Sequence, residues 1–110
     1  MKQYVVDELR PGDFEKIESY LKERFEYSGL ENLYWVRLDE KILTDVQASH
    51  TQCAPFYFAI ELEPGRMSCE LLVRTRQRIK CDCMNYADQA QRDWFIGLAD
   101  TIIEQLAIKV

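Results

Sequence analysis

A chain of 110 residues, 47% apolar and 30% charged, has the size and balance of one globular domain spanning residues 1–110, with no repeat, linker or low-complexity tract. Nineteen acidic against fourteen basic side chains leave a net charge of −5, which works against non-specific binding to nucleic acid or an anionic membrane. The N-terminal MKQYVVDELRPGD is too charged for a secretory signal, and no run reaches the roughly 20 apolar residues of a membrane span. The expected compartment is therefore the cytoplasm, with the four cysteines as thiols or metal ligands rather than disulfides.

The first expected element is a strand at Gln3–Asp7, with Val5 on one face and Tyr4 and Val6 on the other. Pro11 suits a first helical position, and Asp13 places negative charge where the helix dipole favours it. The helix that follows, near 11–28, carries Phe14, Ile17, Leu21 and Phe25 at helical spacing, with Tyr20 beside them. Gly29 is its expected left-handed stop, with Leu30 folding back on Phe25. LYWVRL, residues 33–38, is rich in aromatic and branched side chains and reads as a strand.

Asp39 can cap the next segment, and Thr44 with Gln47 forms a capping-box pattern, so a short helix is expected near 40–51. Pro55 stops it. FYFAIELE, the turn EPGR and the run from Arg66 to about Arg76 form a hairpin. With Glu63 opposite Arg66, Ile60 faces Cys69, Phe58 faces Leu71 and Phe56 faces Val73. The same alternation continues to Cys81 and Cys83, as one bent strand or as a further strand after Gln77. A last helix near 86–107, capped by Asn85 or by Asp88 with Gln91, buries Phe95, Leu98, Ala99, Ile102, Ile103 and Leu106, with Trp94 at the edge of this stripe. Gly97 inside it suggests a close neighbour.

Local hairpin pairing with helices at both ends predicts an α+β fold: a two-layer sandwich, ferredoxin-like or related, with a four- to five-stranded mostly antiparallel sheet. Two main helices and the short one give the order β-α-β-α-β-β-(β)-α.

Two constellations carry chemistry. His50 and Cys53 sit three apart, one helical turn, and Cys81 and Cys83 sit two apart on one strand face. Together they form a Cys3His set of the kind that holds zinc. The plainer reading is favoured: Cys53, Cys69, Cys81 and Cys83 as small apolar fillers, with Cys69 firmly in the core. The single residue between Cys81 and Cys83 is unusual for zinc. A Cys/His nucleophilic pair is weaker still, since nothing selects one thiol. The second constellation is a row of Arg74, Arg76, Arg78 and Lys80 on one strand face, beside Tyr57 and Leu72. Side chains two apart on a strand lie roughly 6.5–7 Å from each other, so the row is a local positive stripe. Its plain reading is a solvated edge; an acidic partner or a second copy comes next.

The adjacent acid pairs Asp7/Glu8 and Asp39/Glu40 point apart rather than converge, and the dispersed glycines make no phosphate cradle. No catalytic set emerges. The leading expectation is a non-catalytic domain acting through a protein partner or a homodimer. The alternative is a small metal- or thiol-binding protein built on His50, Cys53, Cys81 and Cys83. A third reading, an RNA-binding module on the basic strand face, is opposed by the net charge.

Overall fold

The computed structural model describes residues 2–76, 81 and 83–109. The fold is α+β. Strands β1 (Gln3–Val6), β2 (Glu26–Tyr27), β3 (Leu33–Arg37), β4 (Phe56–Glu63) and β5 (Arg66–Thr75) form one sheet. The sheet order is β1-β5-β4-β3-β2, and every pairing is antiparallel. The helices are α1 (Pro11–Arg24), α2 (Asp45–Ser49) and α3 (Gln89–Gln105), with 3-10 turns at Glu40–Ile42 and Thr51–Cys53. A ferredoxin-like sheet holds its first strand in the interior, whereas β1 lies at an edge here, so this connection is a different one. β1 lies at one edge and β2 at the other, and α1 spans the distance between them. No helix among the described residues is long and apolar enough to cross a membrane.

Local chemistry places most boundaries where the residues predict them. The Asp39 carboxylate accepts from the Lys41 N–H at 2.9 Å. Thr44 and Gln47 exchange bonds of 3.0 and 3.2 Å around the start of α2. Asp88 and Gln91 do the same at 3.2 and 2.8 Å around the start of α3. Asp13 accepts from the Arg10 N–H at 3.0 Å, closing the start of α1.

Four expectations are corrected. Helix α1 ends at Arg24, because Phe25 turns extended and leads into β2. Gly29, at φ +88°, therefore serves the turn between β2 and β3, and Leu30 is exposed rather than packed on a helix end. The hairpin holds its predicted register from Glu63↔Arg66 to Ile60↔Cys69, then shifts between Tyr57 and Ala59. Phe56 consequently pairs with Thr75, not Val73, and the Phe58–Leu71 pairing does not form. Because the shift is by an even number of residues, every apolar side chain stays on its face. The fifth strand is Glu26–Tyr27, and neither Cys81 nor Cys83 lies in a strand. Gln77, Arg78, Ile79, Lys80 and Asp82 lie outside the described residues. Finally, a Cβ at Gly97 would meet nothing within 4 Å, so no close neighbour explains that glycine.

One sheet face carries Tyr34, Val36, Phe58, Ile60, Leu62, Met67, Cys69 and Val73, which are buried with Ile17 and Leu21 of α1 and Phe95, Ala99 and Ile102 of α3. The Phe58 ring stacks on Phe95 with centroids 4.2 Å apart and planes 7° from parallel. Beyond β1, the edge of β5 is continued by residues 85–87. The Val73 N–H donates to the Asn85 carbonyl at 2.9 Å, and the Ala87 N–H donates to the Leu71 carbonyl at 2.8 Å. This short graft carries the chain from Cys83 to the cap of α3.

Candidate metal centre

Two turns meet at the end of the hairpin. On the first, His50 is the residue after α2, and its N–H reaches the carbonyls of Val46 and Gln47 at 3.2 and 3.1 Å. The chain then closes a 3-10 turn in which the Cys53 N–H donates to the His50 carbonyl at 2.9 Å. The Thr75 hydroxyl, at the end of β5, donates to the Cys53 carbonyl and fixes this turn to the sheet. On the second turn, the Met84 N–H donates to the Cys81 carbonyl at 3.0 Å. The Cys83 carbonyl accepts from the Gln47 side-chain amide at 3.2 Å.

These turns bring one ligand atom each from His50, Cys53, Cys81 and Cys83 within 4.8 Å of one another, close enough to hold a metal ion. His50 Nδ1 lies 3.1 Å from Cys81 Sγ, and Cys53 Sγ lies 3.7 Å from the same sulfur. All four cysteines are free thiols. A disulfide would need sulfurs about 2.05 Å apart. By contrast, bonds of about 2.3 Å to a tetrahedral ion put neighbouring sulfurs roughly 3.8 Å apart. The observed separation matches the second arrangement. Cys53 and Cys83 are buried, while Cys81 and His50 are half-buried, so the cluster has a dry side and a solvent side. The Cys81 thiol is drawn below its ordinary range, first by hydrogen bonds from the Cys83 backbone and side chain, with His50 and Cys53 adding to it. Burial pushes the Cys83 thiol the other way, and its hydrogen bonds to Cys81 and Cys53 reinforce that. Cys81 thus gives up its proton ahead of Cys83.

The sequence places His50, Cys53, Cys81 and Cys83 in one candidate set, and the structure brings all four together. The favoured filler reading holds for the burial of Cys69, opposite Ile60, and of Cys53 and Cys83, with Cys81 packed on the same core, and it leaves out His50 beside them. Sequence reasoning misses Gln47 and Gln91 as parts of this site. Gln91 is fully buried, and its amide donates to the Ile42 carbonyl at 2.9 Å and to Gln47 Oε1 at 2.8 Å. Each glutamine closes its own helix cap with one end. Gln91 Nε2 donates to the same Gln47 Oε1 that caps α2, and Gln47 Nε2 donates to the Cys83 carbonyl, which makes a chain from α3 through Gln47 to Cys83. The capping-box pattern reveals the first job of each glutamine and is silent on the second.

The basic strand face lies elsewhere on the sheet. Arg74 Nε meets Glu70 Oε1 at 2.5 Å, and the Arg76 guanidinium is bonded to Glu26. Arg76 also lies over the Tyr57 and Trp35 rings, 5.4 and 5.9 Å from their centroids. Leu72 is half-buried and bridges to Tyr86. Arg78 and Lys80 lie outside the described residues. Trp35 is a member of this face that the alternation of Tyr34 and Val36 already implies. Comparison with protein-family models, with curated proteins and with solved structures finds no match to this chain.

Proposed function

We propose that this chain is a small zinc-binding protein in which His50, Cys53, Cys81 and Cys83 hold one ion in a structural, non-catalytic site. The observation that carries the reading is the convergence of four soft and borderline ligand atoms within 4.8 Å. An N/S3 donor set suits zinc, and four protein ligands leave no open position for a substrate. The ion would tie the turn after α2 to the turn before α3, two segments that the Gln47 amide and the Cys83 carbonyl also join. Native mass spectrometry with elemental analysis, on protein purified without chelator, tests it. One zinc per chain, lost in a Cys81→Ser/Cys83→Ser variant, is the expected result. A metal-free mass with four reactive thiols would remove the reading.

A second reading has its own support. Trp35 and Tyr57 lie 6.1 Å apart on the face turned away from the core and share Arg76. Aromatic and arginine side chains of this kind are enriched at protein interfaces, which supports a protein partner or a second copy of the chain. Sedimentation that finds a strict monomer at every concentration removes the second copy.

A further inference from the structure

We propose that Cys81 and Cys53 form a peroxide-oxidisable pair, and that closing their disulfide dismantles the metal site. The inference rests on the zinc reading for its consequence but on the thiol geometry for its chemistry. Cys53 Sγ and Cys81 Sγ are 3.7 Å apart, so a movement of about 1.7 Å brings them to bonding distance. The two are unequally placed. Cys53 is buried and its turn is fastened to β5 through Thr75. Cys81 is half-buried, on the solvent side of the cluster, and belongs to no helix or strand. A small oxidant therefore reaches Cys81 first, and Cys53 stands behind it to resolve the product. Cys69 is buried within the sheet opposite Ile60, away from the cluster.

The step balances as follows. The Cys81 sulfur attacks one oxygen of hydrogen peroxide and cleaves the O–O bond, forming a sulfenic acid and releasing the other oxygen as water. The Cys53 sulfur then attacks Cys81 Sγ and expels the sulfenic oxygen as a second water. The two sulfurs together lose two electrons, the peroxide gains them, and two protons are taken from the thiols or, with metal bound, from solvent. His50 and Cys83 remain as the only ligands of the set, too few to retain a divalent ion.

The test uses the wild-type protein as isolated, treated with one equivalent of hydrogen peroxide. Metal release is followed with a chromogenic chelator, and the thiols are then alkylated and mapped. The expected result is a peptide pair joined through Cys53 and Cys81, with Cys69 and Cys83 alkylated. One metal ion is released per crosslink, and a dithiol reductant reverses the change. A Cys81–Cys83 link, sulfinic acid on Cys81 without a crosslink, or metal retained through crosslinking would overturn the inference. The two readings fail separately. A Cys53–Cys81 crosslink in protein that binds no metal leaves the oxidation site standing and removes the zinc reading. Bound metal with no crosslink does the reverse.

Discussion

Cys69 and the trio Cys53, Cys81 and Cys83 are the same chemical group in two surroundings. Cys69 sits mid-strand in β5, between Ile60 of β4 and Tyr4 of β1. Its thiol is pushed up to about 12, chiefly by burial. It behaves as a small apolar side chain and belongs to no cluster of metal-ligating side chains among the described residues. The other three sit on turns, where backbone groups are free to point sulfurs inward, and a histidine joins them. Within one chain, then, cysteine on a regular strand fills space, and cysteines on converging turns meet a histidine at a spacing close enough to hold a metal. Burial alone does not separate the two cases, since Cys53 and Cys83 are as buried as Cys69.

The widest separation between them is expected on metal removal. Chelation of zinc, or the Cys81→Ser/Cys83→Ser variant, should lower stability by about 3–5 kcal/mol and the thermal midpoint by on the order of 15 °C. The domain keeps a core of its own, so the loss stays below the zinc-finger range, in which the unbound peptide is unfolded. The variant without metal should match the chelated wild type. A variant that still loses midpoint on chelation would place the ion elsewhere. Calorimetry with and without chelator makes the comparison.

A smaller effect should come from the glutamine chain, which links α3 to the trio and makes no bond to Cys69. Gln91→Leu strips the side-chain donor from the Ile42 carbonyl and the acceptor from the Asp88 N–H, and it leaves Gln47 Oε1 with the Thr44 N–H alone. The expected cost is about 2 kcal/mol. Because Gln47 then holds the Cys83 carbonyl less firmly, metal affinity should also fall about tenfold. Competition with a metal-binding dye reads the second quantity. An unchanged affinity beside lost stability would make the chain a brace for α3 alone.

How much of this was legible depended on how far apart the cooperating residues lie. The caps at Thr44 and Asp88, the Glu63–Arg66 turn and the stripes of α1 and α3 are written in neighbours three or four positions apart. They are readable because the physics that forms them is local. The even register shift at Tyr57 and Ala59 is not readable, because it changes no apolar side chain's face. Nor is β2, two residues long and without a period. The metal set was visible as two half-sites. The step to one site needed Cys53 and Cys81, 28 positions apart, to meet. Carrying the alternation of β5 past Thr75 places Cys81 and Cys83 on a strand, and it is the turn, not the core packing, that the alternation does not show.

Substitution on the core side sharpens the contrast from its other end. Cys69→Ala should cost about 1 kcal/mol, the loss of one small buried group. Zinc stoichiometry and affinity should remain those of the wild type, as measured by the same dye competition. A change in metal binding would mean that the core thiol and the trio are coupled through the sheet.

The smallest effect is alkaline and belongs to the same corner of the core. Tyr4 pairs with Cys69 across the strands, and its hydroxyl donates to Asp100 Oδ1 at 2.6 Å. That bond, before burial, pushes the phenol up to about 12 from an ordinary 10.0. Cys69 is pushed to about 12 from an ordinary 9.0. In both, the folded chain favours the neutral form. Their contribution is therefore fully present below the ordinary values and is lost as pH rises toward 12. In metal-loaded protein the part of the alkaline decline that these two groups cause should start near pH 9 and steepen above 10. Tyr4→Phe should remove the later part and Cys69→Ala the earlier. Tyr4 is half-buried against the core, but its bond to Asp100 is exposed and screened by solvent, so Tyr4→Phe should cost less than about 1 kcal/mol at neutral pH. Urea unfolding at a series of pH values measures both slopes. If the decline between pH 9 and 10 is the same in Cys69→Ala as in the wild type, it belongs to the metal ligands, and the buried thiol is not the neutral, apolar counterpart of the trio.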